Sequence, residues 1–153
     1  MILSYEVAGW LEKVRDPADC ELVCPVFAIS KPDGSFRMIY DARRSNKYWQ
    51  TPTFELPNHF MALSNPTGYF YIKSDLSNAF MHWPLHEDVK RKCGVIDVVT
   101  NTYYRWNVLP WGTNIAPFIQ QTIMISVCSY LARSMQRDEI DVRFYVYYDD
   151  FLI

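Results

Sequence analysis

The sequence predicts an α+β fold, and three observations carry the prediction. Val23–Ser30 and Phe36–Tyr40 are β-rich runs on either side of Lys31-Pro32-Asp33-Gly34-Ser35. There proline presets φ and glycine accepts positive φ, so the stretch reads as an antiparallel hairpin. A second pair of β-rich runs, residues 93–99 and 102–108, meets at Thr100-Asn101. Beyond it, residues 115–136 keep apolar positions at helical spacing, and neither an internal repeat nor a linker interrupts the chain.

In order along the chain, residues 4–14 read as a short amphipathic helix, with Tyr5, Val7, Ala8, Leu11 and Val14 near a 3.6-residue period. Asp16-Pro17 stops it. After the first hairpin comes a basic turn or short helix, residues 41–47, then an extended stretch to Pro57 and a brief helix over 58–64. Residues 69–76 read as a strand closing on Asp75, and residues 77–80 turn away from it. Glu87 to Lys92 is a turn of helix. The long helix is capped by Asn114, and Pro117 is tolerated because early helical N–H groups have no intrahelical acceptor. Its stripe of Ile119, Ile123, Val127, Tyr130, Leu131 and Met135 is expected in the core. An acidic loop at 137–141 leads to the last strand.

With 153 residues, 50% of them hydrophobic and 21% charged, the chain suits one globular domain with a sizeable core. No apolar run approaches the ~18 residues that span a bilayer, and the N-terminus lacks the basic start of a secretion signal. The expected location is therefore intracellular, cytoplasmic or nuclear, with no membrane partner. Cys20-x3-Cys24 and His82-x3-His86 have finger-like internal spacing but stand too far apart to form a finger. All four cysteines are expected to be reduced thiols. The net charge of −2 does not announce a nucleic-acid binder, yet basic blocks at 30–50 and 90–105 alternate with acidic ones. Such a pattern lets positive patches hold phosphates while an acidic cluster holds metal.

The chemistry concentrates at Asp149-Asp150, an acidic pair flanked by Phe144 to Tyr148 and by Phe151 and Leu152. On a straight strand the two side chains point to opposite faces, and a tight turn at the pair relieves this. Close carboxylates repel, so they bind a proton or share a cation, and hard divalent cations prefer carboxylate oxygens. Asp75, at another strand end, makes three. Three carboxylates on neighbouring strands suit two divalent ions about 3.5–4 Å apart, the arrangement of phosphoryl transfer. Lys31 and Arg37 offer positive charge for phosphates. The plainer reading of an Asp-Asp pair is a solvated surface turn.

Five stretches together resemble the reverse transcriptase family, in particular the polymerases of gypsy-like and DIRS-like retrotransposons. Pro25 to Arg37 resembles the fingers hairpin, and Asp41-Ala42-Arg43-Arg44-Ser45-Asn46 the segment after it. Asp75-Leu76-Ser77-Asn78-Ala79-Phe80 is similar to the motif bearing the first metal aspartate. Leu109-Pro110-Trp111-Gly112-Thr113-Asn114-Ile115-Ala116-Pro117 resembles the nucleotide-pocket loop, and Tyr147-Tyr148-Asp149-Asp150 the Tyr-x-Asp-Asp motif.

The resemblance implies a right-hand polymerase, with an antiparallel palm sheet packed on helices. One domain fragment would fill 1–153, with fingers at approximately 20–66 and 81–110 and palm at approximately 67–80 and 111–153. The thumb would be absent and the chain truncated after the catalytic hairpin. The implied activity is RNA-directed DNA synthesis with two Mg²⁺, for which Mn²⁺ substitutes. Asp75, Asp149 and Asp150 would be the catalytic ligands, joined by the Leu76 carbonyl. Lys31 and Arg37 would grip the dNTP triphosphate, with Phe80 the steric gate against a ribose 2′-OH. Trp111 and Gly112 would line the nucleotide pocket, Tyr147 would pack near the primer end, and Arg43 and Arg44 would meet the template. Implied partners are an RNA or DNA template with its primer, and further polymerase, ribonuclease H or integrase/recombinase segments of a polyprotein. Trp111 replaces the usual Phe or Gln, and Tyr148 is bulkier than usual. The chain alone is expected to be inactive, with an exposed Phe151-Leu152-Ile153 edge. A domesticated fold that binds nucleic acid without catalysis is the alternative.

Overall fold

The computed structural model describes residues 2–57 and 70–153, so the helix expected over 58–64 lies outside the described residues. Two compact units share the chain, one of residues 1–50 with 80–116, the other of 51–79 with 117–153. Strands and helices mix in the α+β manner expected.

The first unit is built on five strands. These are β1 (Leu11–Lys13), β2 (Val23–Ser30), β3 (Phe36–Tyr40), β5 (Gly94–Asp97) and β6 (Thr102–Trp106), in the order β1-β6-β5-β2-β3. Both expected hairpins form, with Ser30 opposite Phe36 and Asp97 opposite Thr102. The β2–β5 pair is parallel, Val23 opposite Gly94, a non-local pairing that the local turn signals do not reveal. The expected helix over 4–14 is corrected. Helix α1 covers only Ile2–Val7, the chain turns through Gly9, and Leu11 starts a strand whose side chain is fully buried. Leu11, Cys24, Met38, Tyr40, Cys93, Val95 and Trp106 form the centre of this unit's core. Trp111 packs edge-on to Trp106, with ring centroids 5.2 Å apart. Short helix α2 (Glu87–Lys90) follows His86, whose ring accepts from the Asp88 N–H. Arg105 joins β6 to β1 and α2 through Glu12 and Glu87.

The second unit pairs α3 (Ala116–Arg137) with a three-stranded antiparallel sheet of β4 (Lys73–Asp75), β8 (Asp150–Leu152) and β7 (Tyr145–Tyr147), in that order. The expected core stripe of α3 is corrected. Val127, Tyr130 and Leu131 are exposed, Tyr130 at 67%, while Gln120, Gln121, Met124 and Cys128 are buried. Two glutamines take the inward face because the sheet offers their amides backbone partners. The expected free edge after Asp150 is corrected as well. β8 is the central strand, and Ile153 exchanges two 2.9 Å backbone hydrogen bonds with Ile72. All four cysteines are free and buried. Among the described residues no helix is long and apolar enough to cross a membrane.

Candidate active site

The β7–β8 hairpin closes through a two-residue loop, Tyr148-Asp149, because Tyr147 pairs with Asp150. Tyr148 has φ 56°, a left-handed value that a bulky side chain seldom adopts. Positive φ at the first loop residue matches the twist of the flanking strands, the reason primed turns dominate such hairpins. The acidic pair is thus split: Asp149 sits at the tip and Asp150 opens β8.

β4 supplies the third carboxylate. Asp75 stands directly opposite Asp150, and the Leu76 N–H donates to the Asp149 carbonyl at 2.8 Å. Residues directly opposite in an antiparallel pair share a face, with Cβ atoms about 4.5–5.5 Å apart. Two like charges facing each other in this way favour any cation that settles between them. Lys73, two residues before Asp75, already reaches toward Asp150 at 3.7 Å, with both side chains exposed.

The facing carboxylates of Asp75 and Asp150 are hard-oxygen donors, with Asp149 next to Asp150 in the chain. Among the described residues, no group of three or more acidic, His or Cys side chains is placed to hold a metal ion. Mg²⁺ binds through one or two carboxylates and completes its shell with water and substrate phosphates, so the Asp75–Asp150 pair suffices in donor type.

Sequence reasoning missed the residues that hold this hairpin. Gln121 Oε1 accepts from the Tyr148 N–H at 2.7 Å, and Gln121 Nε2 donates to the Val146 carbonyl at 2.9 Å. Gln120 Nε2 donates to the Tyr148 carbonyl at 3.1 Å. The available signal was a Gln-Gln pair interrupting an apolar helix. Tyr147 is half exposed and its ring lies 4.9 Å from that of Tyr148.

The other candidates belong to the first unit. Lys31 sits at the base of the β2–β3 loop, its N–H bound to the Ser35 carbonyl at 2.7 Å. The loop is braced by Asp33, which accepts from the Ser35 hydroxyl and N–H; these bonds hold its carboxyl below the ordinary value. Arg37 is exposed on β3. Neither Lys31 nor Arg37 has an ion-pair partner among the described residues. Arg43 differs, since Asp41 grips its guanidinium through two bonds of 2.7 and 2.6 Å. That fork lowers the Asp41 carboxyl and raises the Arg43 guanidinium. Arg44 is exposed and has no such partner among the described residues. Phe80 is half-buried against the core in the short 3₁₀ turn Ala79–His82. Gly112 has φ 90° and is exposed. Its carbonyl accepts from Asn46 Nδ2 at 3.0 Å, while Asn46 Oδ1 accepts from the Asn114 N–H at 2.9 Å. Asn46, also unrecognised from sequence, thereby ties the Leu109–Asn114 loop to the basic turn.

The chain is 30% identical over its whole length to the Gag-Pol polyprotein of walleye dermal sarcoma virus, spanning 8% of that protein. It is 27% identical over 95% of its length to the Gag-Pro-Pol polyprotein of human T-cell leukemia virus 2, spanning 10% of it. A solved foamy viral protease-reverse transcriptase, in complex with dsDNA, superposes on 99% of the chain with a TM-score of 0.79 at 22% identity. The chain covers 29% of that structure. The family model for reverse transcriptase (RNA-dependent DNA polymerase) matches residues 29–153, so the chain belongs to the reverse transcriptase family.

Proposed function

We propose that the chain is the fingers and part of the palm of a retroelement's RNA-directed DNA polymerase, adding deoxynucleotides to a primer 3′-OH on an RNA or DNA template. The observation that supports it most is the pairing of Asp75 with Asp150 beside Asp149 in a chain of this family. The gypsy-like or DIRS-like type is our finer reading and rests on the motif residues alone. In this reading fingers at approximately 20–66 and 81–110 fall largely in the first compact unit and palm at approximately 67–80 and 111–153 largely in the second, although 51–66 belong to the second unit.

Asp75, Asp149, Asp150 and the Leu76 carbonyl would hold two Mg²⁺ or Mn²⁺, which activate the attacking hydroxyl and stabilise the leaving pyrophosphate when bound. The chain's own residues position the reactants. Lys31 and Arg37, neither of them in an ion pair among the described residues, bind the triphosphate oxygens. Phe80 presents a ring where a 2′-OH would stand, and Gly112 keeps side-chain bulk away from the nucleotide. Tyr147 offers its exposed ring to the primer terminus. Arg44 contacts template phosphate directly, whereas Arg43 does so while held by Asp41.

Positioning supplies a large share of such catalysis, so the 153 residues alone bind nucleic acid in a salt-sensitive way without extending a primer. The test is primer extension on an RNA template with Mg²⁺, comparing this chain with a polymerase that continues beyond it. Extension by the longer protein should vanish with Asp149→Asn. Synthesis indifferent to that change would sink the two-metal reading, and primer–template binding without any synthesis by the longer protein would favour a domesticated fold.

A further inference from the structure

We propose that Gln121, assisted by Gln120, is a positioning residue that holds Tyr148 in its left-handed conformation and so sets the divalent-cation affinity of the neighbouring carboxylates. The inference rests on the two-metal reading above.

Tyr148 is the place to begin. A tyrosine at φ 56° occupies a region that costs any residue with a Cβ, and such a residue persists only where its surroundings over-determine it. Three hydrogen bonds do so here. The Tyr148 N–H and carbonyl, which a two-residue turn ordinarily leaves to water, are both held by α3 through Gln121 and Gln120. The second arm of Gln121 fixes the Val146 carbonyl, two residues upstream. Both glutamines are at most 1% exposed. A buried amide is costly unless bonded, so this helix face is shaped for those backbone partners and little else.

What the clamp controls is register. With Tyr148 left-handed, the loop closes in two residues and Asp150 falls opposite Asp75. A relaxed Tyr148 would splay the strands, and a slip of one residue turns every side chain of β8 to the other face. Asp150 would then leave the Asp75 side of the sheet. The clamp therefore acts on the metal site through Tyr148, touching neither carboxylate.

The rival role for Gln121 is plain packing, and glycine separates the two. A glycine at 148 adopts positive φ unaided, so it removes the need for a clamp without restoring any packing. The experiment is Mn²⁺ binding by the 153-residue chain, read by water-proton relaxation. It compares wild type with Asp150→Asn, Gln121→Met, Tyr148→Gly and the Gln121→Met/Tyr148→Gly double variant, alongside amide exchange at Tyr148.

Wild type should bind Mn²⁺ in an Asp150-dependent way, and its Tyr148 amide should be protected. Gln121→Met should weaken binding about tenfold in the tyrosine background and about twofold or less in the glycine background. An equal loss in both backgrounds, no loss in either, or a Tyr148 amide exchanging like an open loop would overturn the proposal. If Gln121→Met fails to fold by circular dichroism, Gln121→Glu takes its place. It keeps the acceptor for the Tyr148 N–H, loses the donor to Val146, and is judged by the same background comparison. Absence of Asp150-dependent Mn²⁺ binding in wild type would overturn the two-metal reading together with this inference. Intact binding that ignores Gln121 would overturn the inference alone.

Discussion

Alanine at Gly112 is the sharpest perturbation of the loop between β6 and α3. A Cβ built there would stand 2.8 Å from the Tyr40 carbonyl oxygen, on a residue whose φ is 90°. Tyr40 ends β3 and is buried in the core, so that oxygen belongs to fixed backbone and has nowhere to swing. Two costs combine: positive-φ strain of about 1–3 kcal/mol and overpacking of about 1–3 kcal/mol. A loss of roughly 2–6 kcal/mol is large against the ~5–15 kcal/mol that keeps a domain folded. For a chain of this length each kcal/mol moves the thermal midpoint by about 2–4 °C, so the expected drop is roughly 4–24 °C. Gly34→Ala is the control. It shares a positive φ of 80°, but nothing lies within 4 Å of its Cβ, so it reports strain without a clash. Thermal and urea denaturation followed by circular dichroism measure both. A Gly112→Ala loss no larger than that of Gly34→Ala would show that the loop yields freely and that Asn46 does not seat it.

Three further outcomes are expected. Asp75→Asn removes one of two facing like charges, so it should raise the metal-free denaturation midpoint slightly while abolishing Mn²⁺ binding; a lower midpoint or unchanged binding would contradict the pairing argument. Phe80→Ala, in a polymerase containing this chain, should raise ribonucleotide relative to deoxynucleotide incorporation by about 1–3 kcal/mol of discrimination, and an unchanged ratio would leave Phe80 as packing. Burial pushes the Cys93 thiol up to about 12 and raises the Tyr40 hydroxyl, so the fold holds protons that the unfolded chain releases above about pH 9. Their contribution to stability should therefore be level below that pH and fall as pH rises toward 12; a midpoint that climbs from about pH 9 to 12, or a Cys93→Ala variant with an equally steep fall, would refute the assignment.

The parts of the fold legible in the sequence are those whose cause is local. Pro32-Asp33-Gly34 carries its own turn chemistry, and the bounds of the long helix lie within a residue of those expected. The errors come from sequence-distant causes. Leu11 and Val14 extend a helical period past Gly9, yet β1 forms because Leu11 finds Trp106 across the sheet. Counting apolar residues on α3 selects Val127, Tyr130 and Leu131, while the buried face runs through Gln120 and Gln121. Their partners lie 25 to 28 residues away, so the reason a polar pair turns inward is absent from any helical window.

The site divides along the same line. Carboxylates announce their chemistry by residue type, so Asp75, Asp149 and Asp150 stand out as candidates before any strand is placed. What holds them was not, and the expected Phe151-Leu152-Ile153 edge shows why. Three residues after Asp150 seem too few for a strand when counted alone, but β8 lies between β4 and β7 and is hydrogen-bonded on both sides. Among the described residues the open edges of this sheet are therefore β4 and β7. β4 is three residues long and carries exposed Lys73, and short length with a lysine is how an edge resists pairing with other chains. The same Lys73 lies 3.7 Å from Asp150. One side chain thus discourages edge-to-edge association and partly offsets the repulsion between Asp75 and Asp150. A cation arriving at the carboxylates would have to displace it, which makes Lys73 a competitor of the metal as well as a guard of the strand.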